Sequence, residues 1–202
     1  MMAEMVHTSR GVPLMGGVTW DKTQQCAPQN FKSQYGFFGG ETWLWQANSG
    51  KIWALVRVDS NEMPINDRTL KADNDQADHF ILWSSVDGAK TFDRSEDFGD
   101  YGEMYMSLLR LQDKRLLLTF TVRDLMPPLG VRAMLGTESD DAFDFDFAHD
   151  RILLDVKTPV GTPQGGSFGP TVQLADATLV TSYSYRSADG QSHLEVVRWN
   201  AR

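Results

Sequence analysis

Two stretches of this chain repeat each other. Residues 107–123 read SLLRLQDKRLLLTFTVR, and residues 170–186 read PTVQLADATLVTSYSYR. At an offset of 63, Leu109 meets Val172, Leu111 meets Leu174, Asp113 meets Asp176, Leu116 meets Leu179, Phe120 meets Tyr183 and Arg123 meets Arg186. A weaker third copy spans 43–57, WLWQANSGKIWALVR, with Ser49-Gly50-Lys51 at its turn and Arg57 at its end. Self-similarity at a fixed period points to a repeat architecture, in which each unit buries its apolar faces against its neighbours.

Each unit has the same grammar. An apolar run of about five residues meets a polar turn: Asn48-Ser49-Gly50, Gln112-Asp113-Lys114 or Ala175-Asp176-Ala177. A second run follows, rich in Leu, Val, Thr and aromatic residues, and alternating as strands do. Such pairs predict β-hairpins. Third-strand candidates lie at 78–84, 131–136 and 193–199, and a fourth-strand candidate at 151–155. No sustained helical periodicity is present. Four strands per unit, repeated radially, predict an all-β protein, a β-propeller of four-stranded blades.

Composition narrows the functions. The 202 residues are 41% hydrophobic and 23% charged, as in a soluble globular domain. No apolar run approaches the roughly 18 residues of a membrane span, and MMAEMVHTSR lacks a basic and apolar leader, so neither a membrane partner nor a secretory signal is expected. The net charge of −8 argues against nucleic acid, which is bound largely through Lys and Arg. Cys26 is the single cysteine, so no intrachain disulfide forms. His7, His79, His149 and His193 show no ligand spacing, so no metal site and no cofactor are expected.

The segment between the third and fourth strands of the first unit carries a motif. Ser85-Val86-Asp87-Gly88-Ala89-Lys90-Thr91-Phe92 closely resembles the Asp-box, or bacterial neuraminidase repeat, Ser-x-Asp-x-Gly-x-Thr-Trp/Phe. It departs from that pattern where Ala89 stands for the usual Gly and Gly88 comes one position early. In such a box the Asp accepts backbone N–H groups across the turn, the Ser braces it, and the aromatic packs between strands. A degraded copy starts at Ser139 and Asp141, with its aromatic misplaced, and Gly16–Trp20 keeps only the end of the motif. Asp87 is therefore read as a staple and not as a catalytic acid.

The chain thus resembles part of a sialidase-type propeller over about residues 13–200. Blade units fall at about 41–98, 103–155 and 167–199, with residues 13–30 as the end of a preceding blade. That is about half of the six blades the resemblance implies. A closed ring of three blades would crowd its centre. The expectation is a C-terminal half whose N-terminal half is missing, or a chain that needs a second copy to close the propeller. Activity is expected of the full-length parent rather than of this stretch alone.

The resemblance also implies chemistry. Sialidases grip a substrate carboxylate with three arginines, whose planar guanidinium groups bind it bidentately. A tyrosine assisted by a glutamate is the nucleophile, and an aspartate the acid/base. Glu41 and Arg57, sixteen apart, match one family spacing. Tyr105 holds the position equivalent to Glu41 in the second unit, beside Glu103, and Phe168 lies near it in the third. Glu41, Glu103 and Tyr105 are the catalytic candidates; Arg57, Arg123, Arg186 and Tyr101 are the substrate-binding candidates. The competing reading pairs each arginine locally with Asp59, Asp124 or Asp189. Arg132 and Arg198 are read as solvated third-strand residues, and Tyr183 and Tyr185 as core. No counterpart of the early-blade arginine or of the acid/base aspartate is found. The leading expectation is a sialidase-like glycoside hydrolase, or a fragment of one, binding an acidic terminal sugar. A non-catalytic carbohydrate-binding propeller and a structural one are the alternatives.

Overall fold

A computed structural model of the chain describes residues 39–58, 62–65, 68–71, 79–100, 102–122, 130–139, 142–149, 152–154 and 168–201. These residues are all β, without a helix. The first sheet runs β1 (Gly39–Gln46), β2 (Ile52–Val58), β5 (His79–Ser85), β6 (Asp93–Phe98), every pair antiparallel. A small ribbon, β3 (Glu62–Ile65) with β4 (Arg68–Lys71), lies in the connection between β2 and β5. The second sheet runs β7 (Glu103–Arg110), β8 (Leu116–Val122), β9 (Gly130–Glu138). Its outer position is shared by β10 (Phe143–Asp144) and β11 (Ile152–Leu153), each pairing with a different part of β9. The third sheet is β12 (Phe168–Gln173), β13 (Leu179–Arg186), β14 (Ser192–Trp199). Three up-and-down meanders of this form are the blade-like sheets that the repeat predicts. The expected third strands are β5, β9 and β14, and β11 falls within the expected fourth strand at 151–155, whose residues 151 and 155 lie outside the described residues.

The sequence repeat is a repeat of one turn. Ala47 N–H bonds to Lys51 O at 2.9 Å, Leu111 N–H to Arg115 O at 2.9 Å, and Leu174 N–H to Thr178 O at 2.8 Å. Each encloses a three-residue loop whose last residue is left-handed: Gly50 (φ +90°), Lys114 (φ +73°) and Ala177 (φ +65°). This is the hairpin in which a type I turn runs into a left-handed residue. The middle residue tightens it, with Ser49, Asp113 and Asp176 side-chain oxygens accepting the N–H two residues on, from Lys51, Arg115 and Thr178. The β13–β14 turn repeats the geometry with Asp189, Gln191 and left-handed Gly190.

The sheets stack face to face. Trp53, Leu55, Phe80, Leu82 and Phe98 of the first meet Met106, Leu108, Leu118, Phe120 and Met134 of the second. Phe143, Phe145 and Phe147 pack against this layer, with Phe98 and Phe147 edge to face at 5.2 Å. The opposite face of the second sheet (Leu117, Ala133, Leu135) packs on Leu179 and Trp199 of the third. Strands buried on both faces lose the polar alternation of a solvated sheet, and all seven residues of β8 are buried.

The Asp-box-like segment forms the β5–β6 turn. The Asp87 carboxylate accepts Lys90 N–H (2.9 Å), Thr91 N–H (3.0 Å) and the Thr91 hydroxyl (2.7 Å). Ser85 Oγ donates to Asp87 (2.8 Å) and accepts Ala89 N–H (3.0 Å). Phe92 is buried beside Ile81 and Trp83. Gly88 and Ala89 are both left-handed (φ +76° and +67°), so the glycine shift seen in the sequence costs Ala89 a conformation that L-residues avoid. Thr91, then Ser85, hold the Asp87 carboxyl far below the usual carboxylate range. At the degraded box, Ser139 Oγ accepts Ala142 N–H (3.1 Å), while Asp141 and the Gly16–Trp20 fragment lie outside the described residues.

Candidate functional site

Antiparallel pairing gives each sheet two rims. The β1–β2, β7–β8 and β12–β13 hairpins lie on one, as does the Asp87 turn, because Ser85 pairs with Ile52 at the start of β2. The other rim, the open rim, holds the starts of β1, β7 and β12 and the ends of β2, β8 and β13. Arg57 lies five residues beyond Ile52, so roughly 17 Å along the strand separates it from the Asp87 end.

The open-rim end of every inner strand is bulged. Two bonded positions three residues apart (Gly39 and Thr42, Met104 and Ser107, Phe168 and Thr171) face positions only two apart on the neighbouring strand. One extra residue per strand re-aims the chain at that point. In β7 the extra residue is Tyr105, whose φ of +54° is left-handed. A bulky residue held there stores strain, a feature that clusters at ligand sites. Buried hydroxyl pairs brace the strands next to two of these bulges, Ser107 with Thr119 (2.9 Å) and Thr171 with Thr181 (2.7 Å).

Arg57 continues the row of Trp53 and Leu55 towards the second sheet, and its guanidinium carbon lies 5.8 Å from the centre of the Tyr105 ring. That is a cation–π contact between two blades. Both side chains are half-buried, so a polar surface remains at the rim. The pair unites two of the residues that the sequence nominates.

Glu103 is fully buried. Its carboxylate accepts Asp100 N–H at 2.8 Å, and its own N–H donates to Asp100 O at 3.3 Å. The turn leaves no room for a side chain at Gly99: a Cβ there would stand 2.6 Å from the Glu103 carboxylate and 2.7 Å from Met106 Cε. Glu103 thus ties the entry to the Tyr105 bulge.

The other candidates are placed less fully. Glu41 lies in the bulged part of β1 and Arg186 ends β13, and both are described by backbone alone. Counted from its hairpin, Arg57 is five residues into its strand and Arg186 seven, so Arg57 lies two residues nearer the turn. Tyr101 and Arg123 lie outside the described residues. Asp189, a proposed local partner for an arginine, is engaged by the Ser187 hydroxyl and by Gln191 N–H (3.2 Å). Arg198 is exposed, as read from the sequence. Arg132 corrects its reading as a solvated residue. It is 5% exposed, because β9 lies within its sheet between β8 and β11 and both its faces are covered.

Sequence reasoning missed a second polar group on the open rim. Tyr183 and Tyr185 donate to opposite oxygens of Glu195, at 2.9 and 3.3 Å. His193 stacks on Tyr185 (4.8 Å, 14°), and its Nε2 lies 2.9 Å from Ser187 Oγ. Tyr183 is buried as expected, but Tyr185 is only half-buried. The legible signal was the i, i+2 pair Tyr183/Tyr185 facing the i, i+2 pair His193/Glu195 across the hairpin. Among the described residues no group of three or more His, Cys, Asp or Glu is arranged to hold a metal ion.

The geometry defines an all-β protein of blade-like sheets with one bulged, arginine-bearing rim. No family model matches the sequence, and no curated protein matches it. A protein of unknown function from Dyadobacter fermentans DSM 18053 is similar in structure, with a TM-score of 0.58 and 25% identity over 81% of this chain and 38% of that one. Two structures of a PL25 ulvan lyase, a polysaccharide lyase, align with TM-scores of 0.48 and 0.47 at 14% and 12% identity, over 82% of this chain and 42% of theirs. One of them is bound to -[GlcA(1-4)Rha3S]-. The chain therefore spans well under half the length of each of these neighbours.

Proposed function

We propose that the open rim binds an acidic sugar, and that the protein is a sialidase-like glycoside hydrolase or a fragment of one. The observation that carries this reading is Arg57 held against Tyr105, with Tyr105 strained in a bulge on the rim opposite the Asp-box-like turn. A guanidinium is always charged and fits a carboxylate bidentately. Backing it with an aromatic ring fixes its direction while a half-buried setting reduces screening. In this proposal Arg57 grips the sugar carboxylate, joined by Arg123, Arg186 and Tyr101. Tyr105 and Glu41 border the sugar ring, and Glu103 sets Tyr105 in place.

The test is titration of the chain with sialyl and uronic-acid oligosaccharides and their neutral counterparts. Acidic glycans bind, neutral ones do not, and Arg57→Ala weakens binding by about tenfold or more, the scale of a lost charge-assisted contact. Equal binding of neutral and acidic sugars, or an unaffected Arg57→Ala variant, overturns the reading. A second reading, a non-catalytic carbohydrate-binding propeller, is favoured by the burial of Glu103, which removes one carboxylate from the surface of the site. Release of methylumbelliferone from a sialoside separates the two, since only the hydrolase turns it over.

A further inference from the structure

The second and third sheets meet through a layer that turns polar towards the open rim. Leu179 and Trp199 pack on the second sheet. The alternate residues Tyr183 and Tyr185 of β13, and Glu195 and His193 of β14, share that face. On the second sheet Leu117 packs on the third, and Thr119 and Thr121 lie on the same face of β8. The layer is apolar at the hairpin rim. The Ser107–Thr119 and Thr171–Thr181 hydroxyl pairs come next, and the two tyrosines, Glu195 and His193 end it. Thr121 is at the same end, fully buried, and its hydroxyl has no hydrogen-bond partner among the described residues. Buried hydroxyls are seldom left so.

The His193 ring is held in one tautomer. Ser187-Ala188-Asp189-Gly190 begins as Ser85-Val86-Asp87-Gly88 does, and in both turns the serine hydroxyl donates to the aspartate. Ser85 Oγ then accepts an N–H, that of Ala89. Around Ser187 Oγ, the Asp189 carboxylate and the Gln191 carbonyl (3.2 Å) can only accept, so its one proton is directed to them. His193 Nε2, 2.9 Å away, is therefore the donor, and in the neutral ring Nδ1 carries the lone pair. Nδ1 makes no hydrogen bond among the described residues. The group thus presents acceptors, Glu195 and Nδ1, beside the stacked rings of Tyr185 and His193. With Asp189 behind it, it disfavours a carboxylate and suits hydroxyl donors.

We infer, on the reading of the open rim as an acidic-sugar site, that this group is a subsite for an uncharged sugar residue of an oligosaccharide whose acidic residue is held at Arg57. Sugar hydroxyls donate to Glu195 and to His193 Nδ1, and one that reaches Thr121, directly or through a water, completes its hydroxyl. Arg57 lies between the first and second sheets and His193 between the second and third, so about one sheet spacing, roughly 10 Å, separates the two. A single pyranose ring does not span that gap, and a short chain does.

Calorimetry of the 202-residue chain compares glucuronic acid with aldotriouronic acid, and N-acetylneuraminic acid with sialyllactose. Each oligosaccharide binds about tenfold or more tightly than its acidic monosaccharide, the scale of one hydrogen bond to a charged group. Glu195→Gln, and His193→Phe with its ring kept, each remove most of that gain and leave the monosaccharide Kd unchanged. Arg57→Ala weakens both kinds of ligand alike, and far-UV spectra check that every variant is folded. Equal binding of monosaccharide and oligosaccharide, both dependent on Arg57, overturns the subsite and leaves the acidic-sugar site standing. If no acidic sugar binds, both fall. Nitrogen NMR of the imidazole at about pH 8, where an ordinary histidine is neutral, reads the tautomer. A proton on Nε2 is expected, and one on Nδ1 overturns the inference.

Discussion

Glu138 is the side chain on which the first two sheets depend at the hairpin rim. It is 7% exposed and accepts from three donors: Trp45 Nε1 at 2.6 Å, Asn48 N–H at 3.1 Å and the Arg110 guanidinium. Arg110 also lies 4.6 Å over the Trp45 ring. Glu138→Ala removes the acceptor and leaves three donors with unequal recourse. Asn48 is exposed, so water replaces its bond at little net cost. Arg110 is about a third exposed and recovers part of its hydration, so losing the pair costs about 0.5–1 kcal/mol. The half-buried Trp45 indole loses a charge-assisted bond in a place where water fits poorly, about 1.5 kcal/mol. The total is about 2–2.5 kcal/mol, or roughly 4–10 °C in Tm for a domain of this size. Urea denaturation measures it, with an unchanged m-value expected because the same surface is exposed on unfolding. Glu138→Gln keeps an oxygen for Trp45 and loses about 1 kcal/mol. If Glu138→Ala shifts stability by less than about 0.5 kcal/mol, the clasp is a surface ornament and the account of inter-sheet packing is wrong.

Gly136→Ala places a Cβ 2.5 Å from Phe145 Cδ1 and closer still to Asp144 O, so β10 must move, and a loss of about 1–3 kcal/mol is expected in the same assay. Stability falls in acid. The Asp87 carboxyl is lowered by Thr91 and Ser85, Asp113 by Arg115, Asp146 by His149, Asp176 by Thr178 N–H and Asp189 by Ser187. Each is depressed on folding, so its contribution is present above the unfolded value near 3.8 and is lost as pH falls from there through the lowered folded value. Tm measured from pH 7 to 2 reads this out, and Asp87→Asn flattens the acid limb while lowering Tm at pH 7. Asp87→Asn leaves glycan binding unchanged, since Asp87 lies at the far rim from Arg57; altered affinity there counts against placing the site on the open rim.

The repeat was legible because a hairpin needs the same chemistry each time. A left-handed residue closes the loop, and an oxygen two positions earlier than the next strand's first N–H holds it. Ser49-Gly50, Asp113-Lys114 and Asp176-Ala177 satisfy the same demand with different residues, and the flanking apolar runs fix the register. The Asp87 turn was legible for the same reason, since its bonds are all local. What could not be read was contact between sheets. Glu138 lies more than ninety residues from Trp45, and nothing near it in the chain marks it as an acceptor. Arg132 looked like a strand-surface charge because its burial depends on a neighbouring sheet rather than on its own neighbours. Glu195 was missed because its tyrosine partners lie across a turn.

The bulges connect these two kinds of information. A bulge is a local event, yet its effect is to turn one residue away from the sheet at a chosen height. All three inner strands place it at the open rim, and none places it at the hairpin rim, where the clasps need straight pairing. At the hairpin rim the first two sheets tie an N–H of their turn to the next sheet, Asn48 to Glu138 and Gln112 to Gln173. The open rim carries the strained tyrosine, the inter-blade arginine and the Tyr–Glu–Tyr group. The inter-sheet clasps of the first two hairpins and the strained bulge of β7 thus lie at opposite ends of the strand axis. Asp87 and Arg57 lie at opposite ends of one sheet.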